Sequence, residues 1–332
     1  MMISGSHTRE DLKAMQALDL EDKITIAQIR IREWYEHWNG AVYVSFSGGK
    51  DSTVLLHLVR QLYPEVPAVY CDTGLEYPEV REHAFSTPNV IVLHPKMDFR
   101  SVIKKYGYPV YSKEVAQKIW EARRYPNSVN ARRFLTGKER NGRKTRYWAS
   151  DKAKRLLDAP FKVCHLCCNV IKKAPFHSFD RSMGGHSING MMADESYLRE
   201  TSFLRFGCNA FDSKFPASRP LMTWTEQDVL HYIKHEGLKI PAVYGEIVPA
   251  MNAEDTSGQC RMFGDDCRLT LTGVSRTGCM FCMFGAHLEK EPNRFQRMKK
   301  DYPKIWAYCL KPWDKGGLGM KEVLDFIGVK YE

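Results

Sequence analysis

The run Val42-Tyr43-Val44-Ser45-Phe46-Ser47-Gly48-Gly49-Lys50-Asp51-Ser52 constrains this chain more than any other segment. An apolar stretch of β-branched and aromatic residues stops at Ser-Gly-Gly. An amphipathic pattern follows through Thr53, Val54, Leu55, Leu56, Leu58 and Val59. The pattern predicts a buried strand, a glycine turn and a helix. Two glycines let the backbone approach an anion with no Cβ in the way, and N–H groups at the helix start then point at that anion. Lys50 adds a point charge, and Ser47 and Ser52 add hydroxyl donors. The competing expectation is an ordinary strand–turn–helix junction.

A length of 332 residues suits one large domain or two ordinary ones. Hydrophobic residues make up 43% of the chain and aromatics 12%, ample for a core. No apolar run approaches a membrane span, and Met1 to Glu10 lacks the apolar stretch of a signal peptide. The expectation is a cytoplasmic protein with no membrane contact. Ten cysteines in that compartment argue for metal ligation or redox chemistry rather than a disulfide framework.

The net charge of +10 is unevenly spread, with 17 Lys/Arg against four Asp/Glu between Arg100 and Arg155. Arg123-Arg124, Arg132-Arg133 and Lys138 to Arg146 are interleaved there with Tyr125, Phe134, Tyr147 and Trp148. Such a segment suits a phosphate backbone with unstacked bases. A solvated basic loop, or arginines serving only a small nucleotide, would read the same way.

Leu20 to Trp38 has helical periodicity and ends near Gly40, a suitable cap. Strands are predicted at Ala68 to Cys71, Val90 to Leu93 and Ser187 to Met191. Their alternation with helices indicates an α/β fold, a Rossmann-like parallel sheet with helices on both faces. Ligands sit at the carboxyl ends of such strands, where Gly48-Gly49 and Asp72-Thr73 fall. Thr225, with Asp228 three residues on, is predicted to cap a helix. Gly245 to Asp266 reads as an irregular insertion, and the tail after Cys279 as basic and partly helical. The expected partition is a helical segment over 1–40, a nucleotide-binding α/β domain over 41–235 with a basic insertion at about 100–160, and a cysteine-rich region over 236–332.

Ser-Gly-Gly-Lys-Asp-Ser lacks the Walker spacing and resembles the PP-loop of ATP pyrophosphatases, in the adenine nucleotide alpha-hydrolase-like family. Asp72-Thr73-Gly74 followed by Pro78-Glu79 resembles an element shared by sulfonucleotide reductases and the nucleotide-binding subunit of ATP sulfurylase. Ile188 to Arg199, with Asp194-Glu195-Ser196, is similar to the substrate segment of the reductases, although Met191-Met192 stand where those carry an arginine. Cys167-Cys168 with Lys172 and Pro175 resembles another reductase segment, in which Ile171 replaces an arginine. The resemblance implies that ATP contacts Ser45, Ser47, Gly48, Gly49, Lys50, Asp51, Ser52, Asp72, Thr73, Gly74, Asp194 and Lys172. It makes Lys50, Asp51 and Arg199 the catalytic charges. It also implies a 4Fe–4S cluster on Cys167, Cys168, Cys279 and Cys282, since adjacent cysteines can serve two corners of a cubane.

Cysteine spacing leaves a rival open. Cys164-x-x-Cys167 with Cys279-x-x-Cys282 suits tetrahedral zinc, and Cys260 and Cys267 could join either site. Cys71 and Cys208 read as buried apolar residues. Asp72 reads as a ribose, metal or water contact, or else as a helix cap. Asp194 and Glu195 read as Mg²⁺ ligands or orienters of Arg199, or as a loop ion pair. His165, His177 and His287 read as surface or packing histidines.

The reductases end in a tail whose cysteine attacks sulfur, whereas Trp313 to Glu332 contains none and Cys309 has a different setting. The PP-loop is intact where reductases commonly carry a degenerate one. These features are closest to the PP-loop subunit of DNA sulfur-modification systems. The resemblance thus implies an enzyme that cleaves ATP with Mg²⁺ at the α–β bond and adenylates an acceptor, nucleic acid among the candidates, for sulfur transfer from a donor such as a cysteine desulfurase. The alternatives are a sulfonucleotide reductase and a non-catalytic nucleic-acid-binding subunit with a structural metal.

Overall fold

Val42–Phe46 is β-branched and aromatic at nearly every position and forms the centre of a six-stranded sheet in the computed structural model, which describes residues 7–145, 148–250 and 267–332. In chain order the strands are β1 (Val42–Phe46), β2 (Ala68–Cys71), β3 (Val90–Leu93), β4 (Val110–Tyr111), β5 (His186–Asn189), β6 (Asn209–Ala210), β7 (Ala217–Ser218), β8 (Ile247–Pro249), β9 (Leu269–Leu271) and β10 (Met283–Phe284). The chain divides into two units. Unit 1 takes the described residues of Met1–Asp72, Tyr77–Leu93 and Phe176–Thr277; unit 2 takes Thr73–Glu76, His94–Pro175 and Gly278–Glu332. These units interleave along the chain, unlike the linear partition expected from the sequence.

Unit 1 holds the sheet, in the order β3-β2-β1-β5-β7-β6. β3, β2, β1, β5 and β7 run parallel, and helices connect the first of them. The order steps from β1 to β2 and β3 on one side and returns to β5 on the other, which makes the gap between β1 and β5 the switch point of a doubly wound sheet. The Rossmann-like parallel sheet expected from the sequence is present, with one antiparallel strand added at its edge, where β6 pairs with β7. Only the short connection 211–216 joins those two strands, and a connection that short brings the chain straight back. The expected irregular insertion is corrected at its start, because β8 pairs antiparallel with β9; its remainder, with Cys260, lies outside the described residues.

The core of unit 1 follows from periodicity. Ala27, Ile31 and Trp34 fall on one face of the helix Leu20–His37 and pack with Val44, Leu55, Leu58, Trp224 and Tyr232. Lys23 on that helix is also buried, its ammonium 2.8 Å from the Asp228 carboxylate. Asp228 closes the expected capping box with Thr225 at the start of the helix Glu226–Glu236.

Unit 2 is mainly helical, with β4 paired parallel to β10. Its helices include Phe99–Tyr106, Lys113–Arg124, Val129–Thr136, Arg294–Asp301, Pro303–Leu310 and Met320–Ile327. Much of the basic segment is structural here. The Arg123 guanidinium donates to the carbonyls of Phe161, Ala159 and Leu157 at 2.8–3.1 Å, and also to that of Leu156. Arg100 lies over the Trp313 ring and donates to the Gly317 and Trp313 carbonyls.

Candidate functional site

The glycine turn lies at the carboxyl end of β1, beside the switch point. Gly48 has φ +72°, and a Cβ there would meet the Val80 carbonyl oxygen at 2.8 Å. A Cβ on Gly49 would meet Thr277 Oγ1 at 2.9 Å and the Tyr244 hydroxyl at 3.0 Å. Both glycines are therefore required by the surrounding backbone and side chains. Ser47 and Ser52 face each other across the turn, their hydroxyls 3.0 Å apart, and Ser52 Oγ accepts from the Ser47 N–H at 3.2 Å. Gly49 caps the helix Lys50–Leu62 with no side-chain partner, so the first turn of that helix carries amide donors suited to an anion. Gly190, just after β5, comes within contact of Asp51: a Cβ on it would sit 3.1 Å from the Asp51 carbonyl.

Charge is gathered around this turn within unit 1. Lys50 is buried, its ammonium 2.9 Å from Asp51 Oδ1 and 3.6 Å from Glu226 Oε1. Arg199 pairs with Glu195, and Arg276 lies 4.0 Å from the same carboxylate. Burial and the neighbouring Arg276 hold the Arg199 guanidinium below its usual value, against the pull of Asp51. The two arginines and Asp51 thus feel one another. Glu195 forms an ion pair with Arg199, as both the orienting and the loop-ion-pair readings expect, while Asp194 is exposed in the short turn Ala193–Glu195.

Ser45 lies within β1, opposite Val69 and Asn189. Asp72, at the end of β2, is buried and gripped by the Arg81 guanidinium at 2.8–3.1 Å, a partner neither reading of it anticipated. Tyr244, Glu226, Arg276 and Arg81 were all missed from the sequence. Tyr244 is the most telling: its hydroxyl accepts from the Lys50 N–H at 3.1 Å and lies 2.7 Å from Thr277 Oγ1. Nothing local to position 244 signals a contact with residue 50.

Unit 2 gathers the thiols. Cys167 and Cys168 open a helical stretch whose next residues, Asn169–Lys173, wind as a π-turn, a deviation frequent at functional sites. The Cys167 thiol is pushed up by burial and then by Cys168, Cys279, Cys164 and Cys282, so all five sulfurs share one electrostatic neighbourhood. Burial likewise pushes Cys279 up to about 11, with Lys172 opposing. Burial alone would lower the Lys172 ammonium, but Cys279, Glu76 and Cys168 outweigh it and hold it above its ordinary value. Glu76 lies 3.5 Å from that ammonium and accepts from Thr73 through both its N–H and its hydroxyl. Thr73, Gly74 and Lys172 thus belong to this unit. Arg294 donates to the Cys282 carbonyl at 2.7 Å.

Lys172 and Arg294 are the two cations beside these five thiols. Among the described residues, no three Cys, His, Asp or Glu side chains are grouped as for a single metal ion. Cys267 is disulfide-bonded, which removes it from the thiols that could join either metal site. Cys71, Cys208 and Cys309 are buried. His165 stands edge-on to Trp120, and His287 lies against Tyr111, as packing residues do. No helix among the described residues is long and apolar enough to cross a membrane.

Residues 41–147 match the phosphoadenosine phosphosulfate reductase domain. Among curated proteins, an adenosine 5'-phosphosulfate reductase of Bacillus cereus (strain ZK / E33L) is 22% identical over 78% of this chain and 92% of its own length. One of Bacillus thuringiensis subsp. konkukian is 21% identical over the same shares. Among solved structures, the phosphoadenylyl-sulfate reductase of Candida auris, a phosphate complex, superposes with a TM-score of 0.38 at 15% identity, covering 71% of this chain and 91% of its own. The domain match takes in β1, the glycine turn and β2, so residues 41–147 are similar to the phosphoadenosine phosphosulfate reductase domain, and a weaker likeness to the adenosine 5'-phosphosulfate reductases extends over most of the chain.

Proposed function

We propose that the turn Ser47–Ser52 binds the phosphates of ATP with Mg²⁺, and that the protein cleaves ATP between its α and β phosphates to adenylate an acceptor for sulfur transfer. The observation behind this reading is the turn itself. Gly48 and Gly49 leave no room for a Cβ, and two facing serine hydroxyls and the amide-rich start of a helix are gathered at the turn. An acceptor oxygen attacks the α phosphorus, the bond to the α–β bridging oxygen breaks, and pyrophosphate leaves with the electron pair. No enzyme nucleophile is needed. Arg199, with Arg276 beside it, supplies positive charge where charge shifts toward the leaving group, and Lys50 lies against Asp51 at the same turn. Asp194, exposed and without the ion pair that occupies Glu195, is the carboxylate suited to Mg²⁺.

Cys167, Cys168, Cys279 and Cys282 would hold a 4Fe–4S cluster, which when bound supplies a one-electron centre; zinc on Cys164, Cys167, Cys279 and Cys282 is the alternative occupant. A second reading, a sulfonucleotide reductase, is favoured by the names of the relatives, which are adenosine 5'-phosphosulfate reductases.

Product analysis separates the two. The first reading expects AMP-level products and pyrophosphate from ATP, with Lys50→Ala lowering pyrophosphate release on the order of a hundredfold. ADP and phosphate as products would sink it. Sulfite released from adenylyl sulfate with thioredoxin, and no pyrophosphate from ATP, would establish the second instead.

A further inference from the structure

Once the structural cations of the basic segment are set aside, a small group remains together at one place in unit 2. Asn127, Val129, Arg132, Arg133, Lys138 and Arg140 line a cavity of about 70 Å³. That is roughly the liquid share of two waters, and enough for one tetrahedral oxyanion. Arg133 pairs with Glu139. Arg132, Lys138 and Arg140 have no ion-pair partner among the described residues, so the cavity keeps an excess of three positive charges. The Arg133 Nε is buried with no hydrogen-bond partner among the described residues.

Local structure explains the convergence. Ser128 caps the helix Val129–Thr136, which ends at Gly137 in the left-handed conformation. The chain then turns back through Lys138 to Lys144, whose backbones form an antiparallel bridge, with Gly142 N–H donating to the Glu139 carbonyl. This hairpin holds Lys138 and Arg140 toward the helix that carries Arg132 and Arg133.

Two exposed aromatics neighbour the segments that line the cavity, Tyr125 ahead of Asn127 and Trp148 at Gly137. Tyr125 is 53% exposed and precedes Asn127 by two residues, with the Arg124 guanidinium 5.7 Å over its ring. Trp148 is 61% exposed and sits against Gly137, whose Cβ would lie 3.2 Å from the Trp148 Cβ. Large aromatic rings left this open beside a basic pocket offer stacking faces, and only unpaired bases can use them.

We propose that this cavity grips a backbone phosphate of a single-stranded nucleic acid, with bases on either side stacking on Tyr125 and Trp148. The assignment is independent of the nucleotide chemistry in unit 1.

The test uses the full chain and a fluorescein-labelled single strand of about 15 nucleotides, close to the upper span of one such site, read by anisotropy without ATP. Affinity should fall with salt at a log–log slope of about −0.7 per phosphate contact. Arg132→Gln with Arg140→Gln should weaken binding on the order of tenfold and make the slope shallower, while Arg132→Lys with Arg140→Lys keeps most of it. Trp148→Ala should weaken binding roughly fivefold to a hundredfold with the slope unchanged, since stacking carries no counterion. The substituted side chains are exposed, and thermal melting should match the parent. Absence of binding at low salt overturns the proposal, as does a glutamine pair that binds like the parent. If inorganic phosphate or a mononucleotide binds as tightly as the strand, the cavity serves a small anion and the nucleic-acid assignment is wrong. Equal affinity for duplex with no effect of Trp148→Ala also overturns the single-strand assignment.

Discussion

At Gly48 a positive φ and the Val80 carbonyl act together, so the residue has no tolerated substitute. Gly48→Ala should destabilise unit 1 by more than about 1 kcal/mol, seen in urea unfolding, and should abolish nucleotide-dependent quenching or protection of the turn. An alanine variant as stable as the parent would show that the turn relaxes freely. Tyr244 poses the complementary question. Tyr244→Phe keeps the ring but removes the hydroxyl that accepts from the Lys50 N–H and meets Thr277. The expected cost is about 0.5–1.5 kcal/mol of stability, together with a raised KM for ATP, because the amide at the start of the helix loses its fixed orientation. A raised KM with intact stability would assign Tyr244 to the nucleotide alone.

At the scale of elements, the thiol group depends on three pieces of unit 2: the stretch opened by Cys167-Cys168, the turn Cys279–Cys282, and the Thr73–Glu76 segment that brings Glu76 to Lys172. The Cys282 N–H donates to the Cys279 carbonyl and the Met280 N–H to the Leu75 carbonyl, so backbone bonds position this turn. Anaerobically purified protein should be brown and carry about four irons per chain. Cys168→Ser should remove the colour. Cys164→Ser should not, because the proposed cluster is held by Cys167, Cys168, Cys279 and Cys282 and leaves Cys164 out. Colourless protein with one zinc, lost in Cys164→Ser, would reverse the assignment.

For the molecule as a whole, each unit contains a buried thiol that reports on its unfolding. Burial pushes Cys208, in unit 1, up to about 11 and Cys309, in unit 2, up to about 12. An unfolded thiol titrates near 8.5, roughly where its stabilising contribution begins to fall. Below that pH the contribution is whole; as pH rises toward the folded value the unfolded state releases its proton first, and stability is lost. Cys309→Ala should therefore flatten the alkaline fall in unfolding free energy by up to about 1.4 kcal/mol per pH unit between about pH 9 and 12. Its cavity cost should be independent of pH. Parallel pH profiles for parent and variant would show that Cys309 is solvated before unfolding.

Local pattern was sufficient for β1, the glycine turn, the helix Lys50–Leu62 and the Thr225–Asp228 cap, because each depends on residues within a few positions of one another. The strand at His186–Asn189 was legible within a residue or two of its ends. The antiparallel edge of β6 and β7 was not, since two-residue strands carry no periodicity to read. Motif and composition likewise marked the cysteines and the basic segment without separating their roles. Only tertiary structure decided that Arg123 is taken up by carbonyls while Arg132, Lys138 and Arg140 are left at a cavity. It also decided that Asp72 belongs to Arg81, and that Tyr244 reaches the amide of Lys50 across 194 positions of chain. The physical reason is the same in each case: a hydrogen bond or ion pair between distant residues depends on where the packed core brings two backbones together, and no short window of sequence contains both partners.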